Sequence, residues 1–222
     1  MKNLIVVGDS FCASPGWPQD LARLLNLHLV GSGFAGQHWW SYKNFLDKLK
    51  PIQFEQAELM IFVHTFTQRI AHLNEQLSKV DLPNADPKIE IEQAVKLYYK
   101  HIHNDEYGEW AQIQWFKEIK EKYSSKIKTI HLHAFPWTWE VRNYLGGMQV
   151  KPDLSSISLD EIGNEEFRLF DDLRPNHFNK TNNRILSHEL RRLYTNYSQR
   201  DETLDISKFD LKSTKWIEEN SK

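Results

Sequence analysis

Hydrophobic and polar positions along this chain switch repeatedly between a strand period and a helix period. Leu4-Ile5-Val6-Val7 is an apolar run of strand length that begins almost at Met1 and stops at Gly8-Asp9-Ser10. That triplet favours a turn and leaves a hydroxyl at the strand's C-terminal end. The period then lengthens: Pro18 suits a first helical turn, and Leu21, Leu24 and Leu25 predict a helix from Trp17 to Leu25. A short strand from Leu27 to Val30 runs into Gly31-Ser32-Gly33-Phe34-Ala35-Gly36. A second helix is expected from near Gln37, with Trp39, Tyr42, Leu46 and Leu49 along one face until Pro51 ends it.

The run from Leu59 to Val63 predicts a third, buried strand, followed by His64-Thr65-Phe66. From there to Ser125 the spacing is helical: Phe66, Ile70, Leu73 and Leu77, then Ile91, Val95, Tyr98 and Ile102, then Trp110, Ile113, Phe116 and Ile119. Leu82 to Pro87 reads as a linker between helices. Three helices exceed what one crossover needs, so about residues 81–108 are expected to form a helical insertion between strands three and four. Ile127 to Phe135 predicts the fourth strand and Met148 to Val150 a short fifth, before a long polar loop from Pro152 to Glu166. Leu186, Leu190, Leu193 and Tyr197 mark a final amphipathic helix. Alternating strands and helices argue for an α/β fold, a central parallel sheet of four or five strands with helices covering it. One domain over residues 1–200 and a polar C-terminal tail over 201–222 complete the reading.

Composition narrows the function. The chain has 222 residues, and its 28 Lys+Arg against 30 Asp+Glu leave a formal charge of -2. That balance lacks the basic excess of phosphate-backbone binding, so nucleic acid is not an expected partner. No apolar run approaches the roughly 20 residues of a membrane helix, so no membrane span is expected. The single cysteine, Cys12, excludes an intramolecular disulfide, and the N-terminus enters a strand directly; both point to a reducing, cytoplasmic setting.

A serine at the C-terminal end of a parallel strand sits where open α/β sheets place their chemistry. As a nucleophile, Ser10 needs a histidine to take its proton, a group to orient that histidine, and N–H donors for an oxyanion. The plainer alternative is that Ser10 caps the segment after it. His177, in Arg174-Pro175-Asn176-His177-Phe178-Asn179, is the candidate base; Asn179 or Thr181 there also suits a helix cap. His131 and His133, two apart on a strand, share one face, a spacing that metal sites use. His101 and His103 repeat it in a helical segment, where residues two apart diverge. Trp39 and Trp40, with Trp137 and Trp139, suit either a sugar-stacking or acyl-binding wall or a plain core. Cys12 is a rival nucleophile with buried packing as its ordinary role. Arg69 and Arg174 suit an anionic substrate group or an exposed face.

Taken together, Gly8-Asp9-Ser10 after the N-terminal strand, the Trp17 to Leu25 helix, the Gly33-x-x-Gly36 turn after strand two, and His177 just before the last helix resemble the SGNH, or GDSL-type, hydrolases. The resemblance covers about residues 1–46 and 170–195. It implies a three-layer α/β/α sandwich with a parallel sheet, of flavodoxin-like topology. It also implies a serine esterase or acylhydrolase that cleaves a small acyl ester, such as an O-acetylated carbohydrate, through an acyl-enzyme and without cofactor or metal. Ser10 would be nucleophile and His177 general base, with the backbone N–H groups of Ser10 and Gly36 facing the oxyanion. Two positions depart from the family. Where it places an oxyanion-donating asparagine after strand three, this chain has His64 and Thr65, either of which could donate a hydrogen bond there though neither presents an amide NH2. Where it places an aspartate three residues before the histidine, this chain has Arg174, with Asp172 and Asp171 five and six residues before His177. Asp172, the nearer, is the expected orienting carboxylate; a Ser-His dyad held by a backbone carbonyl is the alternative. The departures leave room for a non-hydrolytic ligand-binding protein on the same fold, and the paired histidines for a metal-dependent phosphoesterase.

Overall fold

The alternation within β1 (Asn3–Val7) decides the layering. All five residues are buried, with Leu4 and Val6 directed to one face and Ile5 and Val7 to the other. A strand apolar on both faces belongs inside a parallel sheet covered on both sides, and that is its place in the computed structural model, which describes residues 1–34, 36–65, 67, 69, 89–136, 143–157, 178 and 180–209.

After β1 come α1 (Trp17–Leu25), β2 (His28–Val30), α2 (Trp39–Asp47), α3 (Pro51–Glu55), β3 (Ala57–His64), α4 (Glu90–His101) and α5 (Asp105–Ile119). Then follow β4 (Lys128–His133), β5 (Met148–Lys151), α6 (Lys180–Thr195) and β6 (Asp201–Thr203). The six strands among the described residues form one parallel sheet in the order β2-β1-β3-β4-β5-β6. On one face α1 and α6 pack through Trp17, Leu21, Leu186, Leu190 and Leu193 against Leu4, Val6, Ile61, Val63 and Leu132. On the other, α2 and α5 bring Tyr42, Leu46, Trp115, Phe116 and Ile119 onto Ile5, Val7, Met60 and Phe62. The result is a three-layer α/β/α arrangement.

Three details differ from the sequence expectation. Among the described residues the sheet has six strands rather than four or five. The sixth, Asp201–Thr203, pairs by backbone with β5 inside the stretch read as a polar tail, and Leu204 and Phe209 just beyond it are buried in the first core. Pro51 does not simply end a helix; it opens the short α3. In α5 the buried stripe is Gln112, Trp115, Phe116 and Ile119, while Trp110 is 56% exposed. Steps of three residues drift around a helix of 3.6 residues per turn, so Trp110 cannot share a face with Ile119. The expected Phe66–Leu77 helix falls largely outside the described residues.

Strand order fixes where a ligand has access. The chain passes from β1 to β2 on one side and returns to β3 on the other, so the topological switch point lies between β1 and β3. In open α/β sheets the crevice beyond the C-terminal strand ends at such a point is the usual binding place. The residues there are Gly8-Asp9-Ser10 after β1 and His64-Thr65 closing β3. Among the described residues, no helix is long and apolar enough to cross a membrane.

Candidate functional site

Ser10 opens a single 3-10 turn, Ser10–Cys12, directly after β1. Asp9 caps that turn: its Oδ1 accepts from Phe11 N at 3.1 Å. The cap is itself fully buried, whereas Ser10 is partly exposed. A carboxylate in that setting needs a cation, and Arg69 Nη1 lies 3.4 Å from Asp9 Oδ2. The same nitrogen donates to Gln37 O at 3.2 Å, and the guanidinium carbon stands 6.0 Å from the centre of the Phe135 ring. Arg69 therefore ties the turn that carries Ser10 to the loop that carries Gly36. Tyr42 Oη secures the same carbonyl, donating to Gln37 O at 3.1 Å.

The loop is held close from its other end as well. Gly33 N donates to Cys12 O at 2.9 Å, in an isolated parallel bridge between Ala13 and Gly33. A Cβ on Gly33 would be driven into the Asp9 carbonyl oxygen, so only glycine allows this approach. Gly36 has φ +69°, a left-handed conformation that glycine adopts at little cost. Among the described residues, the backbone N–H groups of Ser10 and Gly36 donate to no protein acceptor. Cys12 is fully buried and its Sγ donates to Asp9 O at 3.4 Å. Burial, and after it the Asp9 charge, push its thiol pKa well up. A thiol so held is a poor nucleophile.

His38 caps α2, its Nδ1 accepting from Trp40 N at 3.2 Å. Burial, then the nearby Arg69 charge, lower its pKa to about 4, so the ring is neutral at pH 7. Trp39 stacks on Trp115 at 6.3 Å and belongs with the second core. Trp40 is 40% exposed.

The start of α6 is fastened to the serine turn. Phe178 packs edge-on to Phe11, with ring centres 5.5 Å apart. Asn183 Oδ1 accepts from Trp17 N at 2.8 Å, and its Nδ2 donates to Phe178 O at 3.2 Å. Trp17 Nε1 in turn donates to Phe11 O at 2.7 Å. Phe178 follows His177 in the chain as Phe11 follows Ser10. His177, Asp171 and Asp172 lie outside the described residues, as do Arg174, Trp137 and Trp139.

His64 and Thr65, the candidates for the third oxyanion donor, go different ways. His64 is fully buried on the α5 side, with Nε2 3.0 Å from His131 Nδ1. Its ring lies 5.2 Å from those of both His131 and His133 and edge-on to Phe116 at 4.8 Å. Thr65 is 1% exposed, and its Oγ1 has no hydrogen-bond partner among the described residues. Its carbonyl accepts from Gln112 Nε2 at 3.3 Å. His131 and His133 share a face, as their spacing requires, and burial lowers the His131 pKa to about 3. Among the described residues, no group of three or more His, Cys, Asp or Glu is placed to hold a metal ion. His103 is engaged elsewhere, its Nε2 2.8 Å from Asp105 Oδ1.

Sequence reasoning brought Ser10 and Gly36 forward and missed Asp9 and His38. Asp9 reads in the sequence only as a turn residue, because its burial and its Arg69 contact arise from tertiary structure. His38 carried one signal, a polar residue directly before the first apolar residue of a helix, which is the cap position. Comparison of the chain with family models, with curated proteins and with solved structures gave no match.

Proposed function

We propose that this chain is a serine ester hydrolase of the SGNH type, acting on a small acyl ester such as an O-acetylated carbohydrate. The observation that carries the reading is the paired backbone at the switch point. Ser10, partly exposed on a capped turn, and Gly36, in a left-handed turn, both keep their N–H groups off other protein acceptors among the described residues, and Arg69 bridges the segments that bear them. That arrangement suits two donors facing one developing oxyanion.

In this mechanism Ser10 Oγ attacks the ester carbonyl carbon while His177 takes the hydroxyl proton. The Oγ–C bond forms, and the carbonyl oxygen becomes an oxyanion held by the Ser10 and Gly36 N–H groups. Collapse breaks the bond to the alcohol oxygen, which leaves with the proton from His177, and Asp172 orients the imidazole. Water then attacks the acyl-enzyme by the same route, releasing the acid and restoring Ser10. Phe178 on Phe11 supports the pairing, because it ties the chain next to His177 to the turn of Ser10.

The test is hydrolysis of acetyl esters by wild type and by Ser10→Ala. Turnover is expected to fall to the uncatalysed background in a variant with unchanged circular dichroism. Unchanged turnover in Ser10→Ala would overturn the reading.

A further inference from the structure

The resemblance implies an asparagine amide as third oxyanion donor, and among the described residues at the end of β3 neither His64 nor Thr65 supplies one: His64 is turned into the second core, and the Thr65 hydroxyl is sealed from solvent. We infer that His38, two residues past Gly36 in the same loop, is that third donor, offering a neutral imidazole Nε2–H to the oxyanion. The inference rests on the hydrolase reading and adds a residue to it.

Three observations lead there. The first is tautomer. Trp40 N–H donates to His38 Nδ1 at 3.2 Å, so Nδ1 presents a lone pair and the proton of the neutral ring sits on Nε2. The imidazole is thus fixed as a donor at its far end. The second is protonation. His38 is 9% exposed and stands at the N-terminus of α2, whose dipole disfavours a cation there. The charge acting on it is that of Arg69, which also disfavours an imidazolium and which itself contacts Asp9. A neutral donor gives up no proton to the oxyanion, so it stabilises charge without becoming a rival acid. The third is placement. Arg69 Nη1 contacts both Asp9, the neighbour of Ser10, and Gln37, the neighbour of His38. One guanidinium nitrogen therefore holds the two stretches of backbone together, with Gly36 between Phe34 and Gln37 on the same loop.

The experiment compares two isosteric substitutions that both serve as helix caps. His38→Asn retains an N–H donor, and His38→Asp retains only acceptors. With p-nitrophenyl acetate, His38→Asp is expected to lower kcat by roughly 100- to 1000-fold with KM little changed, the scale of one lost oxyanion donor. His38→Asn is expected to recover kcat to within about tenfold of wild type on the same scale. Long-range 15N–1H spectra of the wild-type imidazole supply a readout independent of activity: His38 should show a protonated Nε2 and a bare Nδ1 throughout pH 5.5 to 8. Equal kcat in the two variants, or a His38 ring protonated on Nδ1, would overturn the inference while leaving an active wild-type enzyme. A wild type that neither turns over esters nor reacts with a fluorophosphonate would overturn the hydrolase reading itself, and the inference with it.

Discussion

Beneath α1 and α6 the sheet presents Leu4, Val6, Leu59, Ile61, Val63, Ile130 and Leu132; beneath α2 and α5 it presents Ile5, Met60 and Phe62 together with His64, His131 and His133. The first face is a close-packed aliphatic layer whose only requirement is volume. The second buries nitrogens, each of which needs a partner of the right kind. It also holds Trp115 Nε1, Gln112 Oε1 and Thr65 Oγ1, buried atoms with no hydrogen-bond partner among the described residues. The three histidines and Thr65 lie toward the C-terminal ends of β3 and β4, the edge of the sheet that carries the switch point; at the other end of β4 the buried Thr129 hydroxyl is satisfied, donating to Ser124 Oγ at 2.8 Å. Where one half of a core departs from the simplest solution next to a crevice, function is the ordinary reason. The first face fixes the Ser10 turn in place through Phe11, Trp17 and Phe178, and the second gathers the sheet's buried histidines.

The sharpest way to break that division is at the close approach between loop and turn. Gly33→Ala is expected to cost about 3 kcal/mol or more, because its Cβ meets the Asp9 backbone rather than a side chain able to move aside. Urea denaturation measures it, and near-wild-type stability would show that the turn yields. Next in size is the acid response of the second face. The folded His131 pKa, lowered by burial to about 3, lies below its ordinary value near 6.5. The unfolded chain therefore holds more protons between those two values. The stability from a neutral His131 is complete above about pH 6.5 and is lost as pH falls toward 3, at up to about 1.4 kcal/mol per pH unit. His131→Leu should flatten the dependence of the urea midpoint on pH below 6.5. Leu190→Ala, on the first face, should cost about 3 kcal/mol at every pH and leave the slope as it was. Equal slopes in His131→Leu and wild type would erase the contrast between the faces. The smallest effect belongs to Thr65→Val, which removes a buried, unpartnered hydroxyl without changing shape. Stability should stay the same or rise by up to about 1 kcal/mol. A loss of 2 kcal/mol would mean the hydroxyl is bonded.

Much of this architecture is written in period and punctuation. The helix expected from Trp17 to Leu25 has those bounds, because Pro18 and the leucine spacing mark it without competition from tertiary context. Strands β1, β3 and β4 are legible because parallel strands covered on both faces leave continuous apolar runs. Strand β6 is illegible for the opposite reason: Asp201-Glu202-Thr203 is short and polar, lies at the sheet edge, and joins by backbone hydrogen bonds that any side chain allows. The site divides in the same way. Ser10 and Gly36 stand in local motifs, whereas the Asp9–Arg69 contact joins residues 60 positions apart through a buried charge, and no spacing rule records which cation a carboxylate meets. The same holds for His64, which strand alternation assigns to a face but whose His131 partner emerges only when β3 and β4 come into register.

The central claim is that Ser10 is the reacting atom's owner. Treatment of the native protein with a fluorophosphonate, followed by tryptic digestion and tandem mass spectrometry, tests it directly. The account expects one adduct per chain, on Ser10 in the Asn3–Arg23 peptide, and none in Ser10→Ala. An unlabelled native protein, or an adduct on Cys12 or any other residue with Ser10 unmodified, would contradict it.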